Sequence, residues 1–454
     1  MAHSIILYDN DEVEAIFDDG KAVKLSPCGA NVILPVETAP NFHPVSQPQI
    51  LLQRTKFVTH QHRSQVQAAL DFRNRFGEKV FLCRELLDSD SIMEYYVDIK
   101  AVNWPSSTSA VVVNPDGSLQ LNSIDECASV TLAPNRQELS ALFLCKLASE
   151  HNHTQGSTLS ITKSSASSTK LGRKPYSQRA LRDISYTLNF SAEKSEKTES
   201  DRQHQTTKST YGLDDTYCSS KTSNSHENLI HYYVWQVQNH SIAQCPEIWR
   251  YPLRILMTKA NILKESQDRK AGVMEENMTD EVGGCSSMHR NISLLPTSLP
   301  EKCPKSHLHK MSVKEKWELQ MVLSDDVDDV RVGIKRRRIK VCYFKGVIYR
   351  VLWHPEPFLE IYPGDGSVLK SMPGEGTYFS YFTVKDDRLQ EQILSVKTPP
   401  PVNIRCGSHI LSFLLKRGNR FLSLMKLIDR NTRGHSEIVC WKVSFLGCRN
   451  KYLH

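Results

Sequence analysis

The sequence predicts an α+β protein, with an antiparallel β-meander followed by a helix at each end of the chain and disordered segments between. Three observations predict it. Tight-turn signals bracket short alternating strands near the N-terminus, the same order of strands, turns and helical stripe recurs near the C-terminus, and between them the composition collapses into Ser, Thr and Lys.

The N-terminal block, residues 1–90, is the most legible. Phe17-Asp18-Asp19-Gly20 and Pro27-Cys28-Gly29 supply left-handed or preset backbone angles for tight turns, and Ala22 to Leu25 between them alternates as a half-buried strand must. With Ser4 to Tyr8, Val13 to Phe17 and Asn31 to Val36, four strands run in succession. Arg63 to Phe76 then places Val66, Ala69, Leu70 and Phe76 near helical spacing, with Gly77 as a stop. Leu7, Phe17, Val23, Leu25 and Leu70 should share one core, with the helix laid across the meander.

A β-rich block follows over residues 91–150. Its strands are Tyr95 to Val102, Ala110 to Val113, Leu119 to Ile124 and Cys127 to Leu132, with Asn114-Pro115-Asp116-Gly117 as its strongest hairpin turn. Gln137 to Leu147 fits a helix through Leu139, Leu142 and Phe143 and a strand face through Leu142 and Leu144; the strand is preferred. Residues 151–228 bury too little apolar surface to offset their ordering entropy and read as a disordered linker. Residues 229–264 read as a short folded segment, and 265–334 as a mostly irregular linker.

The last block, residues 335–450, repeats the first in order. Val341 to Phe344, Val347 to Trp353, Leu359 to Tyr362, Ser367 to Lys370, Tyr378 to Val384 and Gln392 to Lys397 read as strands, broken at Lys345-Gly346, Pro355 and Pro363-Gly364-Asp365-Gly366. Ile410, Leu411, Leu414, Phe421, Leu424, Met425 and Ile428 form a helical apolar stripe interrupted at Gly418. Val439, Trp441, Val443 and Phe445 close it on one strand face.

Composition bounds the function. About 40% of the 454 residues are apolar, below the usual range of roughly 45–50%. Formal charge is only +7, yet residues 1–150 carry 12 basic against 19 acidic groups and residues 335–454 carry 21 against 9. An acidic head and a basic tail would attract each other, or the tail would serve an acidic partner. No basic segment precedes an apolar run at the N-terminus and no stretch approaches a membrane span, so a soluble intracellular chain, nuclear or cytoplasmic, is expected. Twelve cysteines without a C-x-x-C pair, several in strand-like runs such as Phe143-Leu144-Cys145, read as core thiols.

No phosphate-cradling loop, zincin helix or nucleophile elbow occurs, so no enzyme and no cofactor is expected. Asp18-Asp19 is turn chemistry in preference to catalysis. The nearest approach to a metal site is Cys303, His307 and His309, preceded by Cys285 and His289; in so polar a segment solvated loop histidines are the simpler reading. Lys335-Arg336-Arg337-Arg338-Ile339-Lys340 has the form of a nuclear-import run, balanced against a solvated approach to the strand at Val341 that Asp325, Asp326, Asp328 and Asp329 would neutralise. Nucleic-acid binding would call for aromatics interleaved with these cations, and none precedes Tyr343-Phe344.

The text Phe17-Asp18-Asp19-Gly20…Leu25-Ser26-Pro27-Cys28-Gly29, in its meander-then-helix setting, resembles the polo box, the phosphopeptide-binding and scaffolding module of polo-like kinases. That resemblance implies polo-box-like modules at both ends, acting on other proteins or on a second copy through sheet edges. Phosphopeptide capture would need a Lys and His pair over a groove, onto which no Lys or His of this chain aligns. The whole chain also resembles a vertebrate family named for chromosome-five open reading frame thirty-four. The matching text is Leu25-Ser26-Pro27-Cys28-Gly29, Ala69-Leu70-Asp71-Phe72-Arg73-Asn74, Phe143-Leu144-Cys145-Lys146, Cys245-Pro246-Glu247 with Trp249, Glu360 to Val368 and Cys440-Trp441-Lys442. This second likeness implies a family and no mechanism. The function expected is a non-enzymatic interaction or scaffold protein with a centrosomal or cell-cycle setting; the alternative is a nuclear protein that meets nucleic acid through its basic C-terminal half.

Overall fold

A computed structural model describes residues 2–35, 50–148, 230–270, 291–301, 337–353, 355–373, 377–385 and 388–432. The linker expected over 151–228, Cys303, His307, His309, Lys335, Arg336 and the strand expected around Trp441 lie outside the described residues.

In the N-terminal unit, strands β1 (Ala2–Tyr8), β2 (Val13–Phe17), β3 (Ala22–Leu25), β4 (Asn31–Pro35) and β5 (Ile50–Arg54) form an antiparallel meander that precedes helix α1 (His60–Phe76). The turn glycines behave as their sequence requires. Gly29 has φ +76°, and a Cβ there would also lie 2.8 Å from the Phe81 ring, so conformation and space both demand glycine. Leu7, Phe17, Val23, Leu25 and Leu70 share one buried cluster with Val66, Phe72 and Phe76 of α1.

The middle of the chain forms a separate sheet. Strands β6 (Met93–Tyr95), β7 (Ala101–Asn103), β8 (Val112–Val113), β9 (Leu119–Asn122), β10 (Ala128–Leu132), β11 (Glu138–Lys146), β12 (His231–Ser241) and β13 (Ile292–Leu294) lie here with helix α2 (Glu247–Lys270). Six of them pair in the order β6-β12-β11-β10-β9-β8, while β13 pairs with β7. Gln137 to Leu147 is therefore strand, as its Leu142/Leu144 alternation indicates. Residues 229–264, read from sequence as a segment apart, belong to this sheet: β12 pairs with β11 over nine residues, from Glu138 opposite Ser241 to Lys146 opposite Tyr233. Local periodicity could not show a partner strand so far away along the chain. Trp249 of α2 packs against Trp104 and Phe143 at the centre of this core, with ring centroids 6.3 and 5.5 Å away. Cys145 is a core thiol here, its pKa pushed up to about 12 by burial.

In the C-terminal unit, β14 (Ile339–Phe344), β15 (Val347–Leu352), β16 (Phe358–Tyr362), β17 (Val368–Ser371), β18 (Tyr378–Lys385) and β19 (Arg388–Ser395) form a second meander. A small hairpin, β20 (Arg405–Cys406) with β21 (His409–Ile410), leads into helix α3 (Leu411–Thr432). Gly418, read as an interruption of the stripe, lies inside a continuous helix. A Cβ there would sit 2.5 Å from Ile361 Cδ1, so the absent side chain lets helix and sheet approach closely at this point.

The two meanders are one sheet. β1 pairs antiparallel with β14, which joins them into eleven strands in the order β19-β18-β17-β16-β15-β14-β1-β2-β3-β4-β5. Alternation along β1 then divides the cores: Ile5 and Leu7 pack with α1, whereas Ile6 and Tyr8 pack with α3. The helices thus cover opposite faces of the shared sheet. On the α1 side, the C-terminal half of the sheet is met by the middle domain.

Candidate interaction surfaces

The basic run is not an exposed tail where the structure describes it. Arg337 Nη2 lies 2.6 Å from Glu12 and Nη1 3.6 Å from Glu14, and the guanidinium sits 3.9 Å over the Tyr8 ring. Lys24 Nζ completes an alternating row, 2.7 Å from Glu14 and 3.3 Å from Glu12. Arg338 pairs with Asp429 of α3 at 2.9 Å, and Lys340 with Asp11 at 3.3 Å. The acidic head and basic tail meet at this joint, and the neutralising carboxylates come from β1–β2 and α3. The solvated approach weighed from the sequence does not describe Arg337, Arg338 and Lys340, whose carboxylate partners are Glu12, Asp429 and Asp11. Clustered carboxylates hold Arg337 above its ordinary pKa against the cost of burial.

A second polar cluster locks the middle domain onto the large sheet. Arg350 of β15 and Glu360 of β16 are buried in mid-strand, on the face away from α3. Arg350 Nη2 lies 3.1 Å from Glu138 of β11 and donates to the Asn239 carbonyl at 3.3 Å, while Nη1 donates to the Tyr362 hydroxyl at 3.2 Å. Glu360 accepts from Tyr362 at 2.6 Å, from Ser241 of β12 at 2.8 Å and from Lys370 at 3.2 Å. Gln238 of β12 donates to the Gly77 carbonyl at 3.0 Å, which ties the same strand to the N-terminal unit. Beside this cluster His240 is held neutral, its pKa lowered to about 3 by burial and by the nearby charges of Arg350 and Lys340. Sequence reasoning passed over Arg350 and Glu360, although a charge in mid-strand among apolar neighbours is a signal of buried pairing.

Lys and His residues do gather at one end of the joint. The His3 ring lies 5.5 Å from that of Phe344, and Lys345 Nζ and Arg417 Cζ lie 5.3 and 5.2 Å from the same ring. His3 is 3.6 Å from Asp18, and His409, near Gly346, feels Asp365 as well as Arg417. Acidic neighbours therefore balance this cluster.

The outer hairpin of the C-terminal unit is built differently. Among the described residues β19 ends the sheet, and all six residues from Arg388 to Ile393 are exposed. Phe379 and Leu394 point into the α3 core, so pairing places Tyr378, Phe382, Val384, Leu389, Glu391 and Ile393 on the opposite face. Tyr378 and Ile393 are 51% and 60% exposed. The hairpin is held from the other side, where Cys406 of β20 contacts the Tyr381 hydroxyl at 2.9 Å and the Ser367 hydroxyl at 3.3 Å.

Comparison with known proteins assigns these parts. A profile described as C5orf34-like, N-terminal, matches residues 5–74, and one described as C5orf34-like, second domain, matches 116–256. Over these two stretches the chain is similar to C5orf34-like proteins. Human Uncharacterized protein C5orf34 is 29% identical over 452 residues, and the Bos taurus homologue 27% over 450; each alignment covers 97% of this chain and 68% of the relative. A polo box domain profile matches residues 339–422, which are β14 to β19 and most of α3. Of the two ends expected to be polo-box-like, the profile matches the C-terminal one and not the N-terminal one to which the Phe17 to Gly29 text pointed. That text signals only a tight-turned meander, which the two units share. No solved structure matches the chain. Among the described residues no group of three or more metal-binding side chains converges, and no helix is long and apolar enough to cross a membrane.

Proposed function

We propose that this protein is a non-enzymatic interaction scaffold whose polo-box unit presents its outer β18–β19 hairpin to partner proteins. Polo boxes mediate protein binding, and this unit is fixed by one edge: β14 is paired to β1, so among the described residues the opposite edge is the one left to present. The observation that carries the reading is the run of six exposed residues on an end strand that also bears Leu389 and Ile393. A β edge of this kind recruits a further strand through main-chain hydrogen bonds. The setting proposed is intracellular and cell-cycle-related, which rests on the polo-box likeness alone; self-association through the edge belongs to the same reading. The nucleic-acid alternative loses support because Arg337, Arg338 and Lys340 are already ion-paired.

The test is a full-length Leu389→Lys/Ile393→Lys double variant compared with wild type by proximity labelling in cells. Both sites are exposed, so the fold should be unchanged, while a defined set of labelled partners should be lost. An identical partner set from the two chains would overturn the proposal.

A further inference from the structure

The chemistry of the β19 edge narrows what can pair with it, on the reading that this edge is a docking surface. On the face away from α3, the strand presents Leu389, Glu391 and Ile393 in alternate positions. Glu391 is exposed and makes no ion pair among the described residues, whereas its β18 neighbour across the strand is Phe382. A carboxylate at the centre of an apolar pair on an open edge selects its partner, because like charges placed directly opposite across strands repel and opposite charges attract.

A second copy of this chain fits poorly. An antiparallel self-pairing that sets Leu389 against Ile393 on the same face necessarily sets Glu391 against Glu391. Shifting the register by two residues relieves that contact only by placing each carboxylate against an apolar side chain. Glu391 therefore acts against edge-to-edge dimers, in the way charged residues guard natural sheet edges.

We infer that the β19 edge takes an extended segment of another protein with the pattern apolar–x–basic–x–apolar, its basic residue facing Glu391 and its apolar residues facing Leu389 and Ile393. The basic side chain would supply the counter-charge that β18 does not, and the flanking apolar residues would extend the surface already formed by Tyr378, Phe382 and Val384. Main-chain pairing would give the affinity and this alternate-residue pattern the selectivity.

The experiment uses the full-length protein and three fluorescent heptapeptides of alternating Thr and Val, with Lys, Gln or Glu at the central position. Fluorescence anisotropy should show the Lys peptide bound at least about threefold more tightly than the Glu peptide, the order reversing in Glu391→Lys. Equal binding of all three would leave the edge as a docking surface but overturn the charge selection inferred here. Binding of none would remove the edge reading itself. Sedimentation of wild-type protein as a dimer that Leu389→Lys/Ile393→Lys dissociates, with no peptide competing, would make a second copy the occupant and overturn the inference.

Discussion

The two end units of this molecule share an order of elements and differ in hand. β1 and β14, the first strand of each, lie side by side and antiparallel within one sheet. Laying one unit on the other requires a half-turn about the sheet normal, and such a rotation leaves a helix on the face from which it started. Yet α1 packs on the Ile5/Leu7 face and α3 on the Ile6/Tyr8 face. The crossover from meander to helix therefore has opposite hand in the two units, and no rotation superposes them. Element order, which the two units share, therefore does not distinguish the unit that a polo box profile matches from the one that it does not.

The difference also shows what each unit contributes. The N-terminal unit closes one edge of the C-terminal meander and supplies Glu12 and Glu14 to Arg337 just before β14, while the middle domain covers the face away from α3 around Arg350 and Glu360. The largest effect should come from breaking this shared sheet at its N-terminal side. Leu25 is fully buried, and Leu25→Asp places an unpaired charge in the α1 core, enough to unfold the N-terminal unit. Because β14 has β1 as its neighbour, hydrogen exchange should show lost protection in β14 as well as β1 to β4. Full protection of β14 in the variant would mean that the two meanders stand independently.

Next in size is the lock between sheet and middle domain. Arg350→Met leaves Glu138 and Glu360 buried without their shared cation, a change that typically costs about 3–5 kcal/mol. Chemical denaturation should report that loss, and the double variant Arg350→Met/Glu138→Gln should recover part of it. A loss under about 1 kcal/mol would show that the domain is held by its apolar contacts alone.

The same lock predicts a pH dependence. In the unfolded chain His240 titrates near 6.5, whereas in the fold its pKa is lowered to about 3, so below about pH 6.5 the unfolded state binds a proton that the folded state refuses. Stability should therefore fall as pH drops from about 6.5 towards about 3, by up to about 1.4 kcal/mol per unit from this group. His240→Asn should flatten the curve between pH 6.5 and 5, above the ordinary range of carboxylate titration. An unchanged slope in that window would mean the imidazole is already charged in the fold.

What the sequence made legible was local. Gly20, Gly29 and Gly346, all at positive φ, announce turns because few other residues accept that conformation, and strands between such turns follow from alternation. Pairings between distant segments were not legible, since β1 with β14 and β11 with β12 join residues that no local period connects. The basic run shows the same limit. A string of cations reads alike whether it meets water or Glu12, and only the register of β1 against β14 decides which.

The smallest expected effect tests that last point. Arg337 spans two carboxylates and covers Tyr8, and its side chain is 25% exposed, so part of its attraction is screened. Arg337→Ala removes the bridge and leaves Glu12, which is buried, facing Lys24 alone; a loss of about 1–2 kcal/mol should follow. Arg337→Lys keeps the charge but cannot reach Glu12 and Glu14 as a planar fork or stack on the ring, and should lose roughly half as much. Thermal unfolding of the two variants against wild type ranks them. Were both as stable as wild type, the arginine would be a surface cation after all, and its substitution with alanine in a tagged protein would then report on nuclear import without disturbing the fold. If the ranking holds, any change of location on substituting Arg337 reflects a loosened joint between the N-terminal unit and the polo box as much as a lost import signal. A Glu12→Gln/Glu14→Gln chain separates the two: it loosens the joint while leaving every cation of the run in place.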